Sequence, residues 1–178
     1  MEIHKTRPEL RHDLLEIRRM AFVEAFEAEG RTDAAEVVEG ALAVFMRARN
    51  EVELFPEALA VLERIAKRFP IASLTNGNAD LSTIGLAHHF RATVSAHAHG
   101  TTKPDPALFR IACDALGCKP EEVVHVGDDP DLDVRGARNA GLHAVWVDRL
   151  NREWTGDEPP VTVVDMEDFE RWLDEVTA

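Results

Sequence analysis

The chain has 178 residues, 45% of them hydrophobic and 30% charged, and its 33 acidic residues against 20 basic give a formal net charge of -13. That composition fits an ordinary globular protein with one good core and a small appendage, and it excludes collagen-like, low-complexity and disulfide-scaffold chains. So acidic a chain repels a phosphate backbone, so nucleic acid is not an expected partner. No apolar run reaches the roughly 18–20 residues of a membrane span. The opening MEIHKTRPELRHD lacks the apolar core of a secretory signal. Cys113 and Cys118 are the only cysteines, too few for a zinc site, and they read as reduced thiols of a cytoplasmic protein.

From Glu9 to Asn50 the apolar period is helical. Leu14, Ile17, Ala21, Phe22, Ala25 and Phe26 recur at spacings of three and four, and Gly30 stops that helix. A second helix follows Thr32/Asp33 with Val37, Val38, Ala41, Leu42 and Phe45 on its apolar side, and Asp33 with Glu36 is the expected capping pair. From Phe55 onward helix and strand alternate. Pro56 is expected to open a helix with Leu59, Leu62, Ile65, Ala66 and Phe69 on one face, ended by Pro70. Ile71–Thr75 reads as a short buried strand closed by Asn76-Gly77-Asn78; Ala92–Ala96, Val123–Val126, Ala144–Val147 and Val161–Val164 read as further strands. Helices over Pro106–Leu116 and Asp131–Ala140 lie between them. This alternation predicts an α/β fold, a doubly wound parallel sheet over residues 55–178, preceded by a helical region over 1–54.

In such a sheet, ligands gather at the carboxyl ends of the strands. Three strand-end segments carry polar groups suited to one phosphate. Thr75, Asn76 and Gly77 offer a hydroxyl, an amide and a flexible backbone, although alone they are more simply a strand ending in a turn. Lys103, held extended by Pro104, directs a cation towards the strand ends, although alone it is more simply a solvated lysine. Asp128, Asp129, Asp131 and Asp133 place four carboxylates within six residues directly after a strand. Helix capping accounts for Asp131 and leaves Asp128 and Asp129 unexplained; carboxylates so close call for a lysine or a hard cation such as Mg²⁺.

In this order and spacing, SLTNG, KPDPALF and HVGDDPDLDVRGARNAG resemble the second, third and fourth motifs of the haloacid dehalogenase superfamily of hydrolases. The resemblance implies a Rossmann-like core over 55–178 and a partial helical cap over 1–54. It implies that Thr75, with Asn76, Gly77 and Lys103, binds the phosphoryl group. Lys103 and Asp133 become the catalytic pair, the aspartate positioning the lysine, and Asp128 with Asp129 becomes the Mg²⁺ end. The His88/His89 and His97/His99 pairs, the latter in a loop approach, are not expected to bind metal. Trp146, Trp154 and Trp172 are expected to pack.

The family's first motif is a strand ending in aspartate-x-aspartate, which supplies the nucleophile and the acid/base. No such strand is found in this sequence. Asp129/Asp131 and Asp131/Asp133 belong to the fourth motif, and Val161–Val164 before Asp165-Met166-Glu167-Asp168 reads as the last strand and a helix cap. The sequence is therefore expected to begin inside the cap. The functional expectation is a Mg²⁺-dependent phosphatase of small phosphorylated metabolites, inactive as this chain alone and with Mg²⁺ binding weak or absent. A non-catalytic remnant serving as an interaction module and a 2-haloacid dehalogenase are the alternatives. The missing strand would lie between Ile71–Thr75 and Val123–Val126, a gap that Met1–Lys5 is too short and polar to fill. The two strands are expected to pair directly or to be covered by a second chain, with a homodimer favoured.

Overall fold

A computed structural model describes residues Arg7–Ala178, so the expectation about Met1–Lys5 lies outside the described residues. Two compact units are present. Of the described residues, one comprises 7–53, 75–88 and 95–102, the other 54–74, 89–94 and 103–178.

The first unit is built on two helices, α1 (Leu14–Ala28) and α2 (Ala34–Asn50). Asp13 caps α1 by accepting from the Glu16 amide at 3.0 Å. Ile17, Ala34, Val38 and Leu42 are buried, and the Arg18 guanidinium lies 4.4 Å from the centre of the Phe45 ring. The expected Asp33–Glu36 capping pair does not form. Instead both carboxylate oxygens of Asp33 accept from Arg31, at 2.8 and 2.6 Å, because a two-pronged charged pair outcompetes a neutral amide donor. The Asn50 side chain accepts from the Asp80 amide at 2.8 Å, fastening the end of α2 to the segment after the first strand.

The second unit has helices on both faces of a sheet. β3 (Val124–Gly127), β4 (His143–Val147) and β5 (Val161–Val163) are parallel in the order β3-β4-β5, with Val126 opposite Val145 and Val145 opposite Val161. On one face Val61 and Ile65 of α3 (Ala58–Ala66) meet Phe169 and Leu173 near the C-terminus. On the other, Phe109 and Cys113 of a helix over Pro106–Leu116 pack with Val134, Ala137 and Trp146. β1 (Ala72–Thr75) and β2 (Ala92–Ser95) form a separate two-stranded sheet, whose Ala72, Leu74 and Val94 pack on Leu108 and Ala112. Direct pairing of β1 with β3, one of the two expected outcomes, is therefore not what the structure shows.

The remaining helices, in chain order, are α4 (Leu81–Ile84), α5 (Ala96–His99), α6 (Pro106–Leu116), α7 (Gly136–Ala140) and α8 (Met166–Thr177). His97 and His99 thus lie on a short helix rather than in a loop, and His97 Nδ1 sits 3.3 Å from Asp13. The single helix expected over Asp131–Ala140 is two pieces. Pro130–Arg135 is a wide π-turn, in which the Asp129 carbonyl accepts from both Asp133 N and Val134 N, and α7 follows it. A Cβ on Gly136 would lie 2.8 Å from the Phe109 ring and 3.1 Å from the Pro104 backbone, so glycine lets α7 start this close to α6. Trp146 is core, Trp154 packs on it at 5.7 Å, and Trp172 stacks on Phe169 at 5.9 Å. Among the described residues no helix is long and apolar enough to cross a membrane.

Candidate active site

The wide turn after β3 carries Asp133 inward, where it is 4% exposed. A buried carboxylate needs partners on both oxygens. Lys103 Nζ donates to Oδ1 at 2.6 Å, and His125 Nε2 lies 2.9 Å from the same oxygen. The Asp129 amide donates to Oδ2 at 3.1 Å. Burial pushes the Asp133 carboxyl up, but the His125 hydrogen bond and the Lys103 charge outweigh it and hold the group well below the usual carboxylate range. Asp133 is thus a fixed anion that pins Lys103.

Two neighbours shape this cluster. A Cβ on Gly127, the last residue of β3, would fall 2.3 Å from Asp133 Cγ, so only glycine lets the strand end so close to the carboxylate. The Phe109 ring meets His125 edge-on at 5.1 Å, closing one side of the imidazole.

The Asp128–Asp129 loop is held from β4 and the segment after it. The Asp128 carbonyl accepts from Trp146 Nε1 at 3.1 Å and from Arg152 Nη2 at 2.8 Å. Arg152 is aimed by Asp148, 4% exposed at the end of β4, which accepts from Arg152 Nε at 2.9 Å. Burial raises the Asp148 carboxyl, and the Arg152 hydrogen bonds overcome this and keep it low. The Asp129 carboxylate accepts from the Asp131 and Leu132 amides at 2.9 and 2.8 Å, which starts the wide turn.

Of the residues singled out in the sequence, Lys103 and Asp133 are in contact, joined by the backbone of Asp129. Thr75, Asn76 and Gly77 belong to the first unit, where Thr75 Oγ1 accepts from the Gly77 amide at 2.9 Å in a tight turn. The donor set after β3 does not fit a complete Mg²⁺ site. Octahedral oxygen coordination needs several convergent ligands, whereas Asp129 caps the turn and Asp133 is held by Lys103 and His125. Among the described residues no three His, Cys, Asp or Glu side chains converge as metal ligands.

Sequence reasoning missed His125, Asp148 and Arg152. A signal existed for the first: a histidine between two valines in a buried strand requires a polar partner. Asp148 and Arg152 lie just beyond the motif, which ends at Gly141, and carried no such mark.

A sequence model of the haloacid dehalogenase-like hydrolases matches residues 3–141. The phosphoserine phosphatase of Thermus thermophilus is 44% identical over 84% of this chain and 62% of its own length. The 5-amino-6-(5-phospho-D-ribitylamino)uracil phosphatase of Escherichia coli is 29% identical over 82% of this chain and, again, 62% of its own length. The chain thus spans about three-fifths of these curated relatives. Among solved structures, a 2-haloacid dehalogenase from Pseudomonas syringae pv. Tomato DC3000 superposes with a TM-score of 0.90 at 32% identity, over 98% of this chain and 77% of that one. With its motifs, its fold and a family match across most of its length, the chain belongs to the haloacid dehalogenase-like hydrolases.

Proposed function

We propose that this chain is the larger part of a phosphatase acting on small phosphorylated metabolites, and that by itself it does not turn over. The observation that carries the reading is the buried Lys103–Asp133–His125 contact at the end of β3, which presents a fixed cation suited to an anionic substrate. In this reading Thr75, Asn76, Gly77 and Lys103 bind phosphate and Asp133 positions the lysine. Asp128 and Asp129 form an acidic end whose hold on Mg²⁺ is weak. The phosphatase names of the two relatives support the substrate class. The inactivity rests on chemistry: the family's nucleophile and acid/base come from a strand ending in aspartate-x-aspartate, and no such strand is found in this sequence, while Asp128 and Asp148 follow other strands. The location in this reading is the cytoplasm. The assembly is a homodimer, joined through the helical unit, where Val44 on α2 is 62% exposed.

A second reading, a 2-haloacid dehalogenase, is favoured by the close superposition on the Pseudomonas syringae structure. One experiment separates the two. The purified 178-residue chain is assayed on generic phosphate esters and on 2-haloacids, with and without Mg²⁺. Neither substrate class is expected to react. Metal-dependent phosphate release that survives repurification and vanishes in Asp128→Asn overturns the inactivity, and halide release without metal installs the second reading. Calorimetry is expected to show no saturable Mg²⁺ binding below about 1 mM, since Mg²⁺ sheds its water reluctantly for an incomplete ligand set. A clear isotherm in that range would mean that other ligands complete the site.

A further inference from the structure

The two cysteines of the chain stand at the two ends of one turn. Gly117, in the left-handed conformation at φ +74°, ends α6. Its amide donates to the Asp114 carbonyl at 3.1 Å, and the Cys118 amide reaches past it to the Cys113 carbonyl, also at 3.1 Å. Nested bonds of this kind close a helix end so that the first and last residues of the turn bring their side chains together. The direct backbone bond leaves their Cα atoms within the roughly 4.4–6.8 Å that a disulfide spans.

The two thiols differ in access. Cys113 is 1% exposed and packs with Val134, Ala137 and Trp146. Burial, with Asp114 and the neighbouring Cys118, pushes its thiol up. Cys118 is half-buried, with its Sγ 3.9 Å from the Leu116 carbonyl. A small reagent therefore meets Cys118 first, whereas Cys113 is shut off from solvent and has Cys118 as its neighbour. Packing alone accounts for one small apolar residue in the core. A second thiol at the position paired with it is what a bond between the two requires.

We propose that Cys113 and Cys118 are a thiol–disulfide exchange site, closing a reversible bond across the end of α6 by reaction with a low-molecular-weight disulfide of the glutathione class. The Cys118 thiolate attacks one sulfur of that disulfide, whose S–S bond breaks; one thiolate leaves and a mixed disulfide forms on Cys118. Cys113, once its proton has passed to water, attacks the Cys118 sulfur and expels the second thiolate. Two electrons thus pass from the protein pair to the small disulfide, which ends as two thiols. In a reducing compartment such a bond is transient, as in redox-sensing pairs. This inference stands apart from the catalytic reading, since it involves neither substrate nor turnover.

The test equilibrates the intact chain with glutathione and glutathione disulfide over a series of ratios, in buffer and in urea. Each sample is quenched with acid, its free thiols are alkylated, and the product is weighed by mass spectrometry. In buffer both thiols should vanish together with no adduct retained. The effective concentration of the pair should be at least tenfold higher in buffer than in urea, because only the fold holds the turn. Cys113→Ala should keep a lasting glutathione adduct on Cys118, and Cys118→Ala should leave Cys113 unmodified in buffer. Since Cys113→Ala opens space in the core, the comparison of the unaltered chain in buffer and urea decides the matter by itself. Pairing no stronger in buffer than in urea, a lasting adduct on the unaltered chain, a bond joining two chains, or free thiols at every ratio overturns the proposal. So does a bond that forms only as the circular dichroism of the fold is lost.

Discussion

β3 and β4 lie side by side in one sheet with similar apolar sequences, yet they are buried to different degrees. In β4, Val145 and Trp146 are 1% and 2% exposed, whereas all four residues of β3 are half-buried. β4 has a strand on either edge and β3 has one. Neighbours, not side chains, make the difference. β4 is held by packing, and β3 is held in part by the charged cluster at its carboxyl end.

The strongest way to break that comparison is Asp133→Asn. The substitution removes the Asp133 charge from beside Lys103, itself only 12% exposed at the side chain, and breaking such a buried pair costs about 3–5 kcal/mol. Urea unfolding at pH 7 measures it, and a loss below about 1 kcal/mol would show that the cluster does not anchor β3. The pH dependence sharpens the point. The Asp133 carboxyl is depressed in the folded chain, so its contribution is fully present above the unfolded value near pH ~4 and is lost as pH falls through the lower folded value. The stability gap between the parent and Asp133→Asn should therefore narrow as pH falls below about 4.

Gly127→Ala comes next. Its new methyl group would collide with Asp133, so either the strand end or the carboxylate must move, at about 1–3 kcal/mol. Proton and nitrogen spectra of His125 should shift with it, and an unshifted imidazole would mean that the collision is relieved elsewhere. The smallest and cleanest comparison is one residue type on two strands. Val145→Ala should cost about 2 kcal/mol, and the half-buried Val126→Ala about 1 kcal/mol or less. Equal costs would mean that the two strands are equally packed.

Much of this was legible in the sequence where local chemistry decides. The helix over Pro106–Leu116 has the boundaries expected, because Asp105 caps it through the Ala107 amide at 2.9 Å, Pro106 opens it, and Gly117 ends it at φ +74°. Strands were legible as short apolar runs for the same reason they are buried. The Asp33 cap was misread because Arg31, two residues away, is a stronger partner than any amide. The wide turn at Pro130–Arg135 was misread because the positions of Asp133 and Gly136 are set by Lys103, His125 and Phe109, contacts that no local pattern encodes. In the site, the motif disclosed Lys103 and Asp133 and the valines around His125 marked that residue, whereas Asp148 and Arg152 emerge only when the chain is folded.

The indole N–H of Trp146 ends on the carbonyl of Asp128. Indole emission is sensitive to the loss of such a bond, so the acidic loop carries its own fluorescent gauge, wired through β4. Trp154 and Trp172 are the only other tryptophans, and replacing both with phenylalanine leaves one emitter to read. Any ligand that tilts the Asp128 peptide then announces itself as a change in colour or intensity, with no label attached and no turnover required.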